Sequence, residues 1–467
     1  MGSPSRPDPL ISPPGRADTR KRTSPKGISV LELNAAPNLG DRHPWRAALV
    51  IGLLTVAAGM TYSLWLAPWV RHYPGWWMPD DSWVNLAAAH RVAAGGFASI
   101  YQATPLLVVT PLYPIILVPL AILGSRGHLA EGIALNRPAM WLLYGPVVAA
   151  TGIFVLHASR SLLRAAGARF RLGRAQWALV PLALFPLGVI FGHGEDVLTL
   201  ALVMWAVAAH LRRRPIAAAI LFGAAIASKQ WALLGVPLLL TTSPRERRWQ
   251  VLGVALGIPF AFVVLPLITD WPHAGKSLLG ARVFLRVGHR AVWLRASGAT
   301  LVATPFRLGA FAAAGLVASR LRGDQPAARL IAGYALIFTS RILFEPVVFS
   351  YYLGPGLAFL VLHERMAERT VRRTTVVGTA LLIYCSLYPG PVVWWLGAWA
   401  TVSILVASAA ADVFGLARFA GIPGGGVVVP FRARASWPRS IAGSRWSPRT
   451  GASPARRGTT VPARVRS

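Results

Sequence analysis

TPLLVVTPLYPIILVPLAIL, residues Thr104–Leu123, is apolar over the length of a membrane span. Whether it crosses decides the side of the membrane on which every later loop falls. Pro105, Pro111, Pro114 and Pro119 interrupt it, and each removes a backbone donor and strains a continuous helix. If the segment spans, Arg160, Arg164, Arg169, Arg171 and Arg174, with no acid among them, fall outside, against the rule that Lys and Arg stay on the cytoplasmic side. If it lies along or dips into the outer face, those arginines face the cytoplasm. So do Arg212–Arg214, Arg245 to Arg248, Arg320 with Arg322, and Arg365 to Arg373. The non-spanning reading is therefore adopted. It also requires Pro215–Thr242 to be two short helices meeting near Lys229, since a single span would turn Arg245 to Arg248 outward.

Composition places the chain in a bilayer. It is 54% hydrophobic and 14% charged, with a mean hydropathy of +0.51, and it carries repeated apolar runs such as Ala47–Val70, Pro138–His157 and Trp249–Thr269. The expected fold is an all-α polytopic membrane protein of about twelve transmembrane helices, with further external juxtamembrane or re-entrant helices. Residues 1–46 are polar and rich in Pro and Arg, without the short apolar core and cleavage site of a signal peptide, and are expected to be a disordered cytoplasmic arm. Residues 47–411 form the membrane domain, and 412–467 a basic, disordered cytoplasmic tail. Cys385 is the only cysteine, which excludes an internal disulfide and a cysteine metal cluster.

Only 16 residues are acidic. The adopted topology brings Asp80, Asp81, Glu195, Asp196, Lys229 and Glu345, remote in sequence, to one external face. Ionisable groups at a membrane surface are functional candidates. The plainer reading of Asp80 and Asp81 is that Asp81 or Ser82 simply caps the helix that follows, and of His193, Glu195 and Asp196 that they form a solvated loop at a helix start. Arg341 and Glu345, four apart, read as a structural pair.

The stretch Asp270 to Arg295 departs from the inside-positive rule: Lys276, Arg282, Arg286, Arg290 and Arg295 lie outside against a single acid. The spacing of Arg282, Arg286 and Arg290 puts them on one face of a helix, with Lys276 and His289 nearby. Such a stripe suits a lipid phosphate or diphosphate through charge-assisted hydrogen bonds, and equally an interfacial helix on anionic head groups. Arg307, at the outer start of the next span, is placed to reach the same phosphate.

These residues resemble the GT-C glycosyltransferases, in particular the branch of mannosyltransferases that depend on a polyprenol-phosphate-mannose donor. The likeness lies in Asp80-Asp81-Ser82-Trp83-Val84-Asn85-Leu86-Ala87-Ala88-Ala89 running to Gly95-Gly96 and Tyr101, in Thr110-Pro111-Leu112-Tyr113-Pro114, in Gly192-His193-Gly194-Glu195-Asp196, and in Ala227-Ser228-Lys229-Gln230-Trp231 ending at Pro237. It covers roughly Pro44 to Tyr352. Val84 and Asn85 stand where the family has an aromatic residue after the first-loop acid, which leaves the choice between Asp81 and Asp80 open.

The resemblance implies a plasma-membrane enzyme with both termini cytoplasmic and the site on the outer face. It implies transfer of a hexose, as mannose, from a polyprenyl-phosphate donor to a lipid-linked or glycan acceptor, in a single inverting displacement. One carboxylate, Asp81 or Asp80, is the base. Lys229, Lys276, Arg282, Arg286, Arg290 and Arg307 meet the departing phosphate, and His193, Glu195, Asp196 and Tyr113 complete the substrate site. No cofactor and no metal is expected, although Asp80-Asp81 with Glu195-Asp196 forms a set able to take a divalent ion. Partners are the donor, the acceptor and membrane lipids, with no nucleic acid. The rival reading is a transporter or flippase of polyprenyl-linked sugar or anionic lipid. Transporters usually carry inverted repeats about a midplane site, and no repeat is visible.

Overall fold

The computed structural model describes residues 44–61, 64–65, 80–102, 107, 109–126, 137–168, 192–278, 283–287, 290–294, 297–323, 325–344, 352–366 and single positions from 403 to 414. In chain order the elements are α1 Pro44–Thr61, α2 Asp80–Ala93, α3 Leu112–Ile116, α4 Val118–Arg126, α5 Arg137–Ala165, α6 Gly194–Leu211, α7 Pro215–Ser228, α8 Val236–Thr242, α9 Arg248–Thr269 and α10 Trp271–Leu278. They continue with β1 Val283–Val287, β2 Arg290–Leu294, α11 Ser297–Arg320, α12 Ala327–Ser340 and α13 Leu353–Met366. The described chain is mostly helical. Three of its helical stretches are long and apolar enough to cross a bilayer: Tyr144–Ala165, Gly194–Leu211 and Arg245–Thr269. The apolar run Thr374–Leu387, most of the runs Ala175–Gly192 and Val392–Ala411, which the sequence also offers as spans, and most of the two terminal segments lie outside the described residues.

The Pro-rich stretch forms no helix of crossing length. Over its described part the backbone makes the 5-residue α3 and the 9-residue α4, interrupted at Leu117. At 1.5 Å per residue α4 reaches only about 14 Å. Pro215–Thr242 breaks where expected. Helix α7 stops at Ser228, Lys229 is extended with φ −151 and ψ 131, and a 3-10 turn over Gln230–Gly235 leads into α8. Pro237, in the first turn of α8, occupies a place where its missing N–H costs no helical bond.

Helix α9 carries the clearest lipid-facing surface. Phe260 and Ile268 are 61% and 77% exposed, and Trp249 and Trp271 bracket the helix at either end. Its 22 residues extend about 33 Å, a hydrocarbon thickness flanked by the aromatic rings that favour bilayer interfaces.

Between helices in lipid, close contact replaces the hydrophobic effect as the main attraction. Small residues permit it. A Cβ on Gly223 of α7 would stand 2.9 Å from Ile258 Cβ of α9, and one on Gly145 of α5 would stand 2.8 Å from Val56 of α1. The main core joins α5, α6, α7, α8, α9, α11, α12 and α13 around an aromatic stack, with Tyr334 centred 5.9 Å from both Phe222 and Phe338 and 5.7 Å from Phe359. A second cluster packs α2 (Leu86, Ala89) on α3 and α4 (Tyr113, Leu117, Ala121), α5 (Tyr144, Val148) and α6 (Leu198).

Charged loops separate to opposite ends of these helices. At one end Arg248 Nη2 donates to Thr241 O at 3.0 Å and Gly323 N to the same carbonyl at 3.2 Å, which gathers the turns that carry Arg245, Arg247 and Arg322. At the other end Thr110 Oγ1 donates to Ile226 O at 2.8 Å, beside the break at Lys229. Thr269 Oγ1 donates to Ala98 O at 3.0 Å. There too Tyr101, whose phenol is pushed above its ordinary value by burial, donates to Val109 O at 3.0 Å.

The basic stripe is not helical. Val283–Val287 and Arg290–Leu294 pair antiparallel, with Arg286 opposite Ala291 and Val287 opposite Arg290. The fold class stays helical apart from this ribbon, but the shared helical face expected of Arg282, Arg286 and Arg290 is corrected, since Arg286 and Arg290 lie on strands. Arg286 and Arg290 occupy alternating register positions of a ribbon, and Arg282 lies outside the described residues. The physical reason is local: Val283, Phe284, Leu285, Val287, Val292 and Trp293 favour a pleated strand, and a glycine between two such runs in the sequence is a hairpin signal. Arg307 is also relocated. It stands ten residues into α11, roughly 15 Å along the helix, not at its start.

Candidate functional site

Glu195 is the hub of the described polar residues at the Lys229 end. It is fully buried in the first turn of α6, where the helix dipole favours negative charge. Its Oε1 lies 2.8 Å from His193 Nδ1 and accepts from Lys229 Nζ at 3.0 Å. Oε2 accepts from Asn85 Nδ2 of α2 at 3.3 Å. Its backbone carbonyl accepts from Ser228 Oγ at 3.3 Å. One carboxylate thus joins three separate parts of the sequence.

Asp196 repeats the pattern. Its Oδ1 accepts from Trp231 Nε1 at 2.5 Å, and its Oδ2 stands 3.4 Å from His193 Nδ1 and 3.8 Å from Lys229 Nζ. Trp231 is held in turn by an edge contact on Phe338 at 5.0 Å, so the aromatic core fixes one wall of the cluster. The extended backbone at Lys229, between α7 and the 3-10 turn, is what lets an ammonium and an indole two residues apart reach neighbouring carboxylates. The two carboxyl side chains are 1% and 5% exposed, and that of Lys229 is 14% exposed.

Around this core, Ser82 Oγ donates to Gly192 O at 3.3 Å and Tyr144 OH donates to the same carbonyl at 3.1 Å. Tyr113 shares a hydrogen bond of 3.2 Å with Tyr144 and its hydroxyl lies directly against Gly194, where a Cβ would collide with it. Burial first, then its neighbours Tyr144 and Glu195, hold the Tyr113 phenol well above its ordinary value, so it stays a neutral hydroxyl.

The structure therefore brings together His193, Glu195, Asp196, Lys229 and Tyr113, and excludes the reading of His193 to Asp196 as a solvated loop. Asp80 and Asp81 form the first turn of α2, which Ser82 and Asn85 tie to Gly192 and Glu195. Their carboxylates lie outside the description, as do the side chains of Lys276, Arg286 and Arg290 and the whole of Arg282 and Glu345. Arg341 stacks on Tyr352, its guanidinium carbon 4.6 Å from the ring centre.

Asn85, Trp231 and Tyr144 were not among the candidate site residues read from the sequence, and Ser82 entered only as a helix cap. Asn85 counted there as a departure from the family pattern, yet it is the residue that joins α2 to the hub. The available signal was its position four residues after Asp81, on the same face of the helix.

His193, Glu195 and Asp196 each offer one ligand atom, all within 4.8 Å of one another, and one imidazole with two carboxylates is a donor set suited to a divalent cation. The Lys229 ammonium, 3.0 Å from Glu195 Oε1, already serves as the cation of this set, and a metal ion would have to displace it. Comparison with models of known protein families finds no match for this sequence, and a search of curated proteins finds none either.

Proposed function

We propose that this protein is an integral membrane glycosyltransferase of the GT-C kind. In this reading it moves a hexose, as mannose, from a polyprenyl-phosphate donor to a hydroxyl acceptor at the outer face. The observation that carries the reading is the bond from Asn85 Nδ2 to Glu195 Oε2, supported by Ser82 on Gly192. Through it the helix opened by Asp80-Asp81 meets the His193-Glu195-Asp196 segment and Lys229 in one buried cluster, uniting stretches that the family likeness drew from separate parts of the chain.

The reaction is a single inverting displacement. The acceptor oxygen attacks the anomeric carbon, its bond to that carbon forms as the bond from carbon to phosphate oxygen breaks, and its proton passes to Asp81 or Asp80. An unassisted alcohol is a weak nucleophile at neutral pH, which is why a carboxylate is needed. The phosphate leaves already stabilised as an anion, so a second carboxylate acid of the glycosidase type is not required. Positive charge for the departing group comes from the basic segment Lys276 to Arg295. Trp249 near the start of α9 and Trp271 just past its end suit a helix that crosses the membrane.

The test is transfer from radiolabelled polyprenyl-phosphate-mannose in membranes with and without the protein. Label entering a new product only when the protein is present supports the reading. Equal incorporation in both membranes contradicts it.

A further inference from the structure

Resting on the glycosyl-transfer reading above, we propose that Arg91 seats the phosphate ester of the donor's lipid carrier. Arg91 lies in the last turn of α2, the helix that Asp80 and Asp81 open. A cation there already suits the helix dipole, but the dipole asks only for charge. The surrounding structure holds a fork in one direction. Gly95, at φ +81, ends α2, with Gly95 N donating to Val92 O at 3.0 Å and Gly96 N to Arg91 O at 2.9 Å. This brings Gly96 against the arginine stem, where a Cβ would stand 2.9 Å from Arg91 Cγ. Arg91 Nε then donates to Ser99 Oγ at 3.1 Å, and Nη2 donates to Gln102 Oε1 at 3.1 Å.

Among the described residues these side-chain partners are both neutral oxygens, so they orient the guanidinium without neutralising it. A guanidinium carries five donors in one plane. Those that Ser99 and Gln102 leave over match a phosphate ester, whose oxygens accept charge-assisted hydrogen bonds in pairs. The place also fits the proposed leaving group. Thr269 Oγ1, at the end of α9, donates to Ala98 O of the turn that carries Ser99, at 3.0 Å. The chain that continues into α10 and the basic segment Lys276 to Arg295 therefore starts beside the loop on which Arg91 lies. The acid at that junction, Asp270, is buried, with its Oδ1 2.6 Å from His273 Nδ1. Arg91 thus adds an oriented cation to the positive charge that the reading assigns to the basic segment.

The test measures binding of farnesyl phosphate, and of farnesol as the same chain without phosphate, to the full-length protein in phosphatidylcholine nanodiscs. In Arg91→Gln, affinity for farnesyl phosphate is expected to fall about tenfold, the effect of losing one charge-assisted hydrogen bond, and affinity for farnesol to stay within about twofold. Arg91→Lys keeps the charge without the fork and guards against a folding defect. It is expected to lose about threefold for farnesyl phosphate alone. Equal losses for both compounds would make Arg91 a staple of the loop and overturn the assignment. So would unchanged farnesyl phosphate affinity in both variants, or no binding of it by the unaltered protein. With phosphatidylglycerol in the discs, the Arg91→Gln loss is expected to remain about tenfold. Collapse of that loss would mean that an ordinary lipid head group occupies the seat, against the assignment to the carrier. Mannose transfer by a protein whose Arg91→Gln variant binds farnesyl phosphate normally would sink this inference alone. Phosphate-dependent binding through Arg91 without any transfer would sink the transfer reading alone.

Discussion

Glu195 and Lys229 form a buried ion pair at 3.0 Å, and such a pair behaves asymmetrically. Removing one partner leaves an uncompensated charge, at a cost of about 3–5 kcal/mol, whereas removing both is far milder. Glu195→Leu and Lys229→Leu alone are each expected to lower the thermal midpoint of the purified protein strongly, and the double variant less than the sum of the two. Additive losses in this double-mutant cycle would show that the contact carries no coupling. Rare charges made Glu195, Asp196, His193 and Lys229 legible in a chain with 16 acids. Asn85, Tyr144 and Trp231 were not legible, because a neutral amide, phenol or indole in an apolar chain acquires meaning only from what it touches.

The break at Lys229 and the interruption of Thr104–Leu123 follow from proline placement, which sequence displays directly. The ribbon over residues 283–294 does not. Arginines four apart fit a helical face, but the β-branched and aromatic residues between them favour strands. A tighter local constraint lies at the start of α6, where Tyr113 leaves no room beside Gly194. Gly194→Ala is expected to destabilise the protein by about 1–3 kcal/mol through overpacking, and Tyr113→Phe in the same chain to restore part of the loss by removing the colliding oxygen. An unchanged melting midpoint in Gly194→Ala would show that α6 enters the cluster more loosely than described.

At the scale of the molecule, the length of α6 holds Glu195 about 26 Å from Arg212 along the helix. This length separates the acidic cluster from the arginine turns. If those turns face the cytoplasm, exposed His273 on α10 lies outside and exposed Arg213 inside. In a chain with Cys385 replaced, His273→Cys is expected to react with an impermeant thiol reagent in intact cells, and Arg213→Cys only after permeabilisation. Similar labelling of both sites, or the reverse pattern, contradicts the orientation.

The proposed transfer reaction requires Asp81 or Asp80 as its base, and the most direct measurement is turnover of purified Asp81→Asn and Asp80→Asn with labelled polyprenyl-phosphate-mannose, alongside donor binding. Asparagine keeps the size and most of the hydrogen bonding of aspartate and removes the base. In one of the two variants, turnover is expected to fall about 10²-fold or more while donor binding is largely retained. Near-normal transfer in both would contradict the claim.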